Sequence, residues 1–339
     1  MGSNPMNRPG PVLPNDLVGP LLRSVSRSFY LSIRFLPSGL RQPVGLAYLL
    51  ARATDTIADT AEVPADVRKP GLQSLASAIQ GAGDVNELGE SFAPLQTNEA
   101  EQKLIESLPA CLEMLRRVSP ADQADIRELL AKINKAQLLD IERFPGGGDL
   151  RALATAAELN EYTYLIAGCV GEFWTRICNR HLPAFAELPV ERLLELGRRY
   201  GEGLQLINIL RDAGGDLRAG RCYLPNDELT AVGIRPQEIV DHPAKSMPVY
   251  YKWLERAESG LRAGMEYCLA VRPRRVRGAT ALPALIGAKT IRLLRNAGDD
   301  VLEEKIKVPR REVRRILRAM GMTMASKVRL RRLFDDALG

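Results

Sequence analysis

The chain has 339 residues, 45 % apolar and 26 % charged, with a formal net charge of +6. This is the composition of a globular protein with a sizeable core, and the positive balance favours anionic partners: phosphorylated small molecules, an acidic membrane surface or nucleic acid. Its five cysteines are scattered with no CxxC pair, and its only histidines are His181 and His242, which argues against a disulfide scaffold, a cysteine or histidine metal site and a Ser-His-Asp triad, and for reduced thiols in the cytoplasm.

The opening "MGSNPMNRPGPVLPNDL" has no signal-peptide pattern and reads as a flexible leader over residues 1–18. Next, "SVSRSFYLS" places Ser26, Arg27 and Ser28 near the start of a first helix. Hydroxyls and helix N-terminal amides suit an anion there, although an ordinary N-cap is the plainer reading. "VGLAYLLARATDTIADT" predicts a strongly apolar helix carrying Asp55 and Asp59 at i and i+4, with Arg52 on the same face. "AEQKLIESLPACLEMLRRV" and "ADQADIRELLAKINKAQLLDI" read as two amphipathic helices joined by "SP". "PGGGD" is a loop, and "ATAAELNEYTYLIAGCVGEFWTRICNR" predicts one long, nearly all-apolar helix on which Tyr162 and Tyr164 are conspicuous.

"VERLLELGRRYGEGLQLINILRDA" is a further helix, and "SMPVYYKWLERAESGLRAGMEYCLAV" and "ALPALIGAKTIRLLRNAG" are two more. From Lys305 onward the chain is rich in Arg and Lys. An amphipathic helix pair with a solvated basic face is the plain reading of that tail; a phosphate-contacting flap and a membrane-surface patch are the sharper ones. No period-2 alternation is long enough for a sheet, and no run of 18 apolar residues could span a bilayer. One all-α domain over residues 19–339 is expected, a single large helical bundle.

The acids carry the chemistry. A lone DxxxD is usually a solvated helix face, but a second one follows. Asp212 and Asp216 are again four apart, and Gln205 and Asn208 continue the stripe backwards through an otherwise apolar helix. Buried polar groups cost free energy unless they are paired or bind something. Mg²⁺ is held by one or two carboxylates plus substrate phosphates, so paired acids in apolar surroundings predict a metal–diphosphate site beside a hydrocarbon pocket. Arg218 and Arg221 follow at once, and cations of this kind match phosphate.

In order along the chain, "SRSFYLSIRFLP", "YLLARATDTIADT", "EYTYLIAGCVGEFW" and "GLQLINILRDAGGDLRAGRCYLP" resemble the motifs of the squalene/phytoene synthase family. The resemblance implies an isoprenoid-synthase helical bundle with a central apolar cavity. It implies Mg²⁺ on Asp55, Asp59, Asp212 and Asp216, and diphosphate contacts from Ser26, Ser28, Arg52, Gln205, Asn208 and Arg221. Tyr162 would lie beside the carbocation. The segment "EEKIKVPRREVRRILRAM" is similar to the part of squalene synthases near the nicotinamide cofactor, which implies NADPH contacts from Lys305, Lys307 and Arg310.

The implied reaction joins two farnesyl diphosphates through presqualene diphosphate to squalene. The alternatives within the family are dehydrosqualene, hydroxysqualene and, from geranylgeranyl diphosphate, phytoene; a non-catalytic assembly scaffold is the alternative outside enzymology. No nucleic-acid motif is present, peripheral contact with the inner membrane surface is expected, and nothing in the sequence sets the oligomeric state. Two departures from the family pattern stand out. Ala58 occupies a position that is often acidic, and Gly214 with Gly215 replaces bulkier or acidic residues, which predicts a loosened helix end.

Overall fold

The structure is a computed structural model that describes residues 17–26, 30, 33, 36–60, 63–145, 150–323 and 325–339. The expected leader lies outside the described residues as far as residue 16, and Leu17 and Val18 open a helical turn, Leu17–Leu21. Contacts divide the chain into two compact units, Met1–Asn134 and Lys135–Gly339. Both are helical. The one sheet among the described residues is a two-residue parallel pair.

The first unit is built on helix α1, Ser38–Asp59, which packs against α2 (Ala65–Gln80), α3 (Glu99–Glu106) and α4 (Leu108–Arg117). Leu46, Leu49, Leu50, Ala53 and Ile57 of α1 are fully buried, and Leu72, Leu75, Leu104, Ile105 and Leu112 of the helices it packs on are fully or almost fully buried. Burying such a side chain contributes about 1.5–3 kcal/mol, so this stripe decides where α1 sits. The single helix expected across "AEQKLIESLPACLEMLRRV" is broken at Ser107. Pro109 has no amide to continue the α3 ladder, and the turn closes through Ser107 N–H on the Lys103 and Leu104 carbonyls. Ser119, in the "SP" joint, accepts from the Asp122 amide through its hydroxyl and so caps α5, Pro120–Arg143.

The second unit is organised around α8, Val190–Arg218, which packs on α7 (Cys169–His181), α9 (Pro243–Ala270) and α10 (Arg274–Ala297). Leu206, Ile207, Ile209 and Leu210 of α8 join Tyr250, Leu254, Leu261, Leu285, Ala288 and Ile291 in one core. The polar tips of buried rings are satisfied: Tyr250 donates to the Leu210 carbonyl at 3.1 Å and Tyr200 to the Thr280 carbonyl at 2.9 Å. Two further helices, α11 (Arg310–Thr323) and α12 (Lys327–Leu338), pack on α10.

The long helix expected through "EYTYLIAGCVGEFW" is interrupted in one respect. Between α6 (Ala156–Thr163) and α7, Tyr164–Gly168 widens into a π-helical stretch, a feature that often marks functional sites. The α10 helix starts at Arg274, seven residues before the apolar run that announces it in sequence. No helix among the described residues is long and apolar enough to cross a membrane. All five cysteines are free and buried.

Candidate active site

The first acid motif lies on the half-exposed side of α1. Ala53, Thr54, Thr56, Ile57 and Ala58 are buried, Asp55 is half-buried and Asp59 is exposed. The carboxylates therefore sit on the polar edge of an amphipathic helix rather than within a wholly buried one. Tyr48 and Arg52 continue the Asp55 stripe at helical spacing. Arg52 forms an ion pair with Glu101 of α3. Burial alone would lower the Arg52 pKa, but the Glu101 contact outweighs it and holds the guanidinium above its ordinary value. Burial raises the pKa of Tyr48, whose hydroxyl is in hydrogen-bond contact with Ser26.

Ser26 itself is buried. Its Oγ donates to the Leu22 carbonyl at 2.5 Å, while its own carbonyl accepts the Tyr30 amide at 2.9 Å. It thus closes the short helix Leu22–Val25. Ser28 lies outside the described residues.

The second acid motif ends α8. Gln205, Asn208, Asp212 and Asp216 run down one side of the helix, with Asn208 exposed and the other three half-buried. The helix stops just after Asp216 because Gly220 adopts a left-handed φ of 78°, and the Gly220 amide returns to the Leu217 carbonyl at 3.0 Å. The chain then enters strand β2, Arg221–Cys222, which pairs in parallel with β1, Arg151–Ala152. The Arg151 amide on the Gly220 carbonyl and the Leu153 amide on the Cys222 carbonyl, both at 3.0 Å, hold this corner. Arg221 is thereby aimed back at α8, and its Nη2 donates to Asp216 Oδ1 at 2.9 Å.

The expected loosening at Gly214 and Gly215 is not found, because α8 runs through both to Arg218. Gly214 is instead a point of close approach: a Cβ there would meet the Leu302 carbonyl oxygen at 2.0 Å. Leu302 belongs to the turn Gly298–Leu302, and Arg218 also reaches that turn, donating to the Leu302 carbonyl at 3.3 Å. The turn brings in Lys305, whose Nζ lies 2.6 Å from Asp212 Oδ1. Asp212 Oδ2 accepts from Arg211 Nη2 at 2.7 Å. These groups line a cavity of about 350 Å³ with Arg218, Arg221 and Glu304.

The electrostatics of the two acids differ. Burial raises the Asp216 pKa, and Arg221 only partly offsets that. Burial raises Asp212 as well, but hydrogen bonds from Arg211 and Lys305 more than reverse it and hold its carboxyl below the ordinary value. The Lys305 and Asp212 side chains are 52 % and 29 % exposed, and partly exposed ion pairs contribute only about 0.2–1 kcal/mol each. A divalent cation can displace them. Among the described residues no three of His, Cys, Asp and Glu gather into a ready-made metal cage. Each motif supplies a carboxylate pair, the all-oxygen donor set that Mg²⁺ uses with substrate phosphates and water.

Nε of Arg52 and Nε of Arg221 are among the buried donors that have no acceptor among the described residues, as are Nε of Arg68, Nη1 of Arg143 and Nε1 of Trp174. A buried donor left without an acceptor costs about 1–3 kcal/mol, and an anion arriving at either motif would remove that penalty.

Tyr162 packs against Tyr223, with ring centres 5.2 Å apart, and Tyr223 donates to Asp140 Oδ1 at 2.8 Å. Burial drives the Tyr223 pKa far above its ordinary value, so its hydroxyl keeps its proton. Of the three cations expected near the nicotinamide cofactor, Lys307 and Arg310 are exposed, while Lys305 pairs with Asp212. Sequence reading missed Tyr48, Glu101, Arg211, Tyr223 and Asp140. Tyr48 was visible in the helical spacing and Arg211 sits beside Asp212, but Glu101 is 49 residues from Arg52 and Asp140 is 83 from Tyr223.

The sequence profile of a family described as squalene/phytoene synthase matches residues 22–312. A bifunctional lycopene cyclase/phytoene synthase from Arthroderma gypseum is 27 % identical over 246 residues, which cover 70 % of this chain and 39 % of that protein. A squalene synthase from Mycosarcoma maydis is 26 % identical over 307 residues, covering 84 % of this chain and 51 % of that protein. The chain thus spans about half or less of the length of these two curated relatives. A solved complex of TcSQS with the ligand E5700 has the same fold, with a TM-score of 0.74 at 21 % identity, covering 96 % of this chain and 98 % of that one.

Proposed function

The chain belongs to the squalene/phytoene synthase family, and on that premise we propose that it joins two farnesyl diphosphates head to head, through presqualene diphosphate, to squalene. The observation that carries the reading is the charged cavity at the end of α8. Asp212 and Asp216 stand there among Arg211, Arg218, Arg221 and Lys305, and Arg221 keeps a buried donor without an acceptor. Such a site suits a diphosphate that must be bound, neutralised and released.

Asp55 with Asp59 and Asp212 with Asp216 would hold Mg²⁺. When bound, the metal supplies charge compensation to the departing diphosphate. The protein's own groups do the rest. Arg221, anchored by the β1–β2 corner and Asp216, offers its planar donor fork to phosphate oxygens, and Arg52 does the same in the first unit. Ser26 and Ser28 in the first unit, and Gln205 and Asn208 in the second, would offer neutral hydrogen-bonding groups to phosphate oxygens. Tyr162, stacked on Tyr223, presents a ring and a hydroxyl that can stabilise positive charge or steer proton loss.

NADPH would supply the final hydride. Lys307 and Arg310 are exposed cations with no ion-pair partner among the described residues, a chemistry that fits the phosphates of a dinucleotide. The second reading is phytoene synthesis from geranylgeranyl diphosphate without NADPH, and the lycopene cyclase/phytoene synthase relative favours it. A helical scaffold finds less support, because both acid pairs are intact.

The compartment that suits this reading is the cytoplasm, with the protein resting on the inner membrane surface. Arg311, Arg314, Arg315 and Arg318 form an exposed row on α11 that ends at Met322, which is 74 % exposed. That pairing of cations with an apolar tip suits anionic lipid.

Incubation with farnesyl diphosphate and Mg²⁺, with and without NADPH, followed by mass analysis of extracted lipids, tests the assignment. Squalene formed only with NADPH is the expected result. Dehydrosqualene or presqualene diphosphate regardless of NADPH would remove the reductive step, and phytoene from geranylgeranyl diphosphate alone would replace the substrate.

A further inference from the structure

We propose that Lys305 is the resident counter-ion of the second acid motif: it neutralises Asp212 in the metal-free protein and passes to the diphosphate when that carboxylate ligates metal. The inference rests on the reading of Asp212 as a metal ligand.

Both oxygens of Asp212 are already engaged. Oδ1 takes Lys305 Nζ at 2.6 Å and Arg211 Nε at 3.3 Å, while Oδ2 takes Arg211 Nη2 at 2.7 Å. A metal approaching this carboxylate meets two cations that repel it, and its binding is favoured by the departure of one of them. Arg211 is the neighbouring residue on α8, and its planar fork spans both oxygens. Lys305 holds a single oxygen through a flexible, half-exposed stem. It also stands on the non-helical stretch of residues 305–309, whose backbone no helix restrains. Lys305 is therefore the group that yields.

What it yields to is set by its anchor. Just upstream, Val301 and Leu302 are buried, the Leu302 carbonyl is wedged against Gly214, and Arg218 donates to the carbonyls of Leu302 and Glu303 at 3.3 and 3.4 Å. The base of the segment cannot drift away, so the displaced ammonium stays at the cavity. There it joins Arg218 and Arg221 around whatever anion enters with the metal. A compact ammonium with three donors suits a phosphate oxygen as well as a carboxylate. The same residue thus opposes metal binding when metal comes alone and supports it when metal comes with diphosphate.

That reversal of sign is the test. Mn²⁺ binding is followed by electron paramagnetic resonance, and binding of Mn²⁺–pyrophosphate by calorimetry, on the full chain as wild type, Lys305→Met and Asp212→Asn. Lys305→Met is expected to bind Mn²⁺ alone about fivefold more tightly and Mn²⁺–pyrophosphate about fivefold less tightly, the scale of one partly exposed charge pair. A shift of both affinities in the same direction, or of neither, overturns the proposal. Asp212→Asn separates the two layers of the argument. If it binds as many Mn²⁺ ions as wild type, the metal reading fails and the counter-ion role with it. If it loses Mn²⁺ while Lys305→Met changes nothing, only the counter-ion role fails.

Discussion

Alanine at Gly214 and at Gly215 makes a matched pair of perturbations, because the two neighbours share a helix and differ in what a methyl group would meet. At Gly214 the new Cβ would lie 2.0 Å from the Leu302 carbonyl oxygen and 2.6 Å from its carbon, where ordinary contact begins at 3.4 Å. Both partners are backbone, so α8 and the Gly298–Leu302 turn must separate by more than about 1 Å, an overpacking that costs about 1–3 kcal/mol. The separation also strains the Arg218 hydrogen bonds to Leu302 and Glu303. Alanine returns about 0.5–1 kcal/mol of helix propensity, leaving a net loss of about 1–2 kcal/mol.

At Gly215 nothing lies within 4 Å of the added Cβ, and only the propensity gain of about 0.5–1 kcal/mol remains. Denaturant titration followed by far-ultraviolet circular dichroism reads both. Gly214→Ala is expected to lower the midpoint and Gly215→Ala to raise it. If both variants move in the same direction, the wedge between Gly214 and Leu302 is not what the glycine is there for.

Two further outcomes are expected. In a carbon-13 carboxyl NMR titration of the metal-free protein, Asp216 should titrate above the ordinary 3.8 and Asp212 below it. The linkage signs follow: Asp212, depressed in the fold, contributes stability above its unfolded value that is lost as pH falls through the folded one. Asp216, raised in the fold, contributes stability at low pH that is lost as pH rises through its folded value, and the reverse order of midpoints would contradict both assignments. Changing Arg311, Arg314, Arg315 and Arg318 together to glutamate should abolish sedimentation with vesicles rich in phosphatidylglycerol. At roughly 1 kcal/mol per basic residue near such a surface, the loss approaches a thousandfold in affinity; equal binding of the variant, or equal binding of wild type to neutral vesicles, would refute the surface.

Much of the architecture was legible because the signals are local. Apolar residues at helical spacing announce α1, α8, α9 and α10, and the spacing of four places Asp55 with Asp59, and Asp212 with Asp216, on shared helix faces. Where the reading slipped, a local rule competed with a longer-range one. Pro109 split an amphipathic run that periodicity alone would continue. The π-helical stretch at Tyr164–Gly168 has no propensity signature. Gly214 and Gly215, read from propensity as weak points, fall within a helix whose packing against Leu302 requires the first of them.

By itself the sequence determined the helical class, the two acid pairs and the family to which their order belongs, because periodicity and spacing are properties of neighbouring residues on one helix. Only the tertiary structure decided which cation meets which acid. Glu101 reaches Arg52 and Lys305 reaches Asp212 across 49 and 93 residues. Such pairs form because packed helices and one glycine-wedged turn bring distant backbone together, and no periodicity in the chain records that distance.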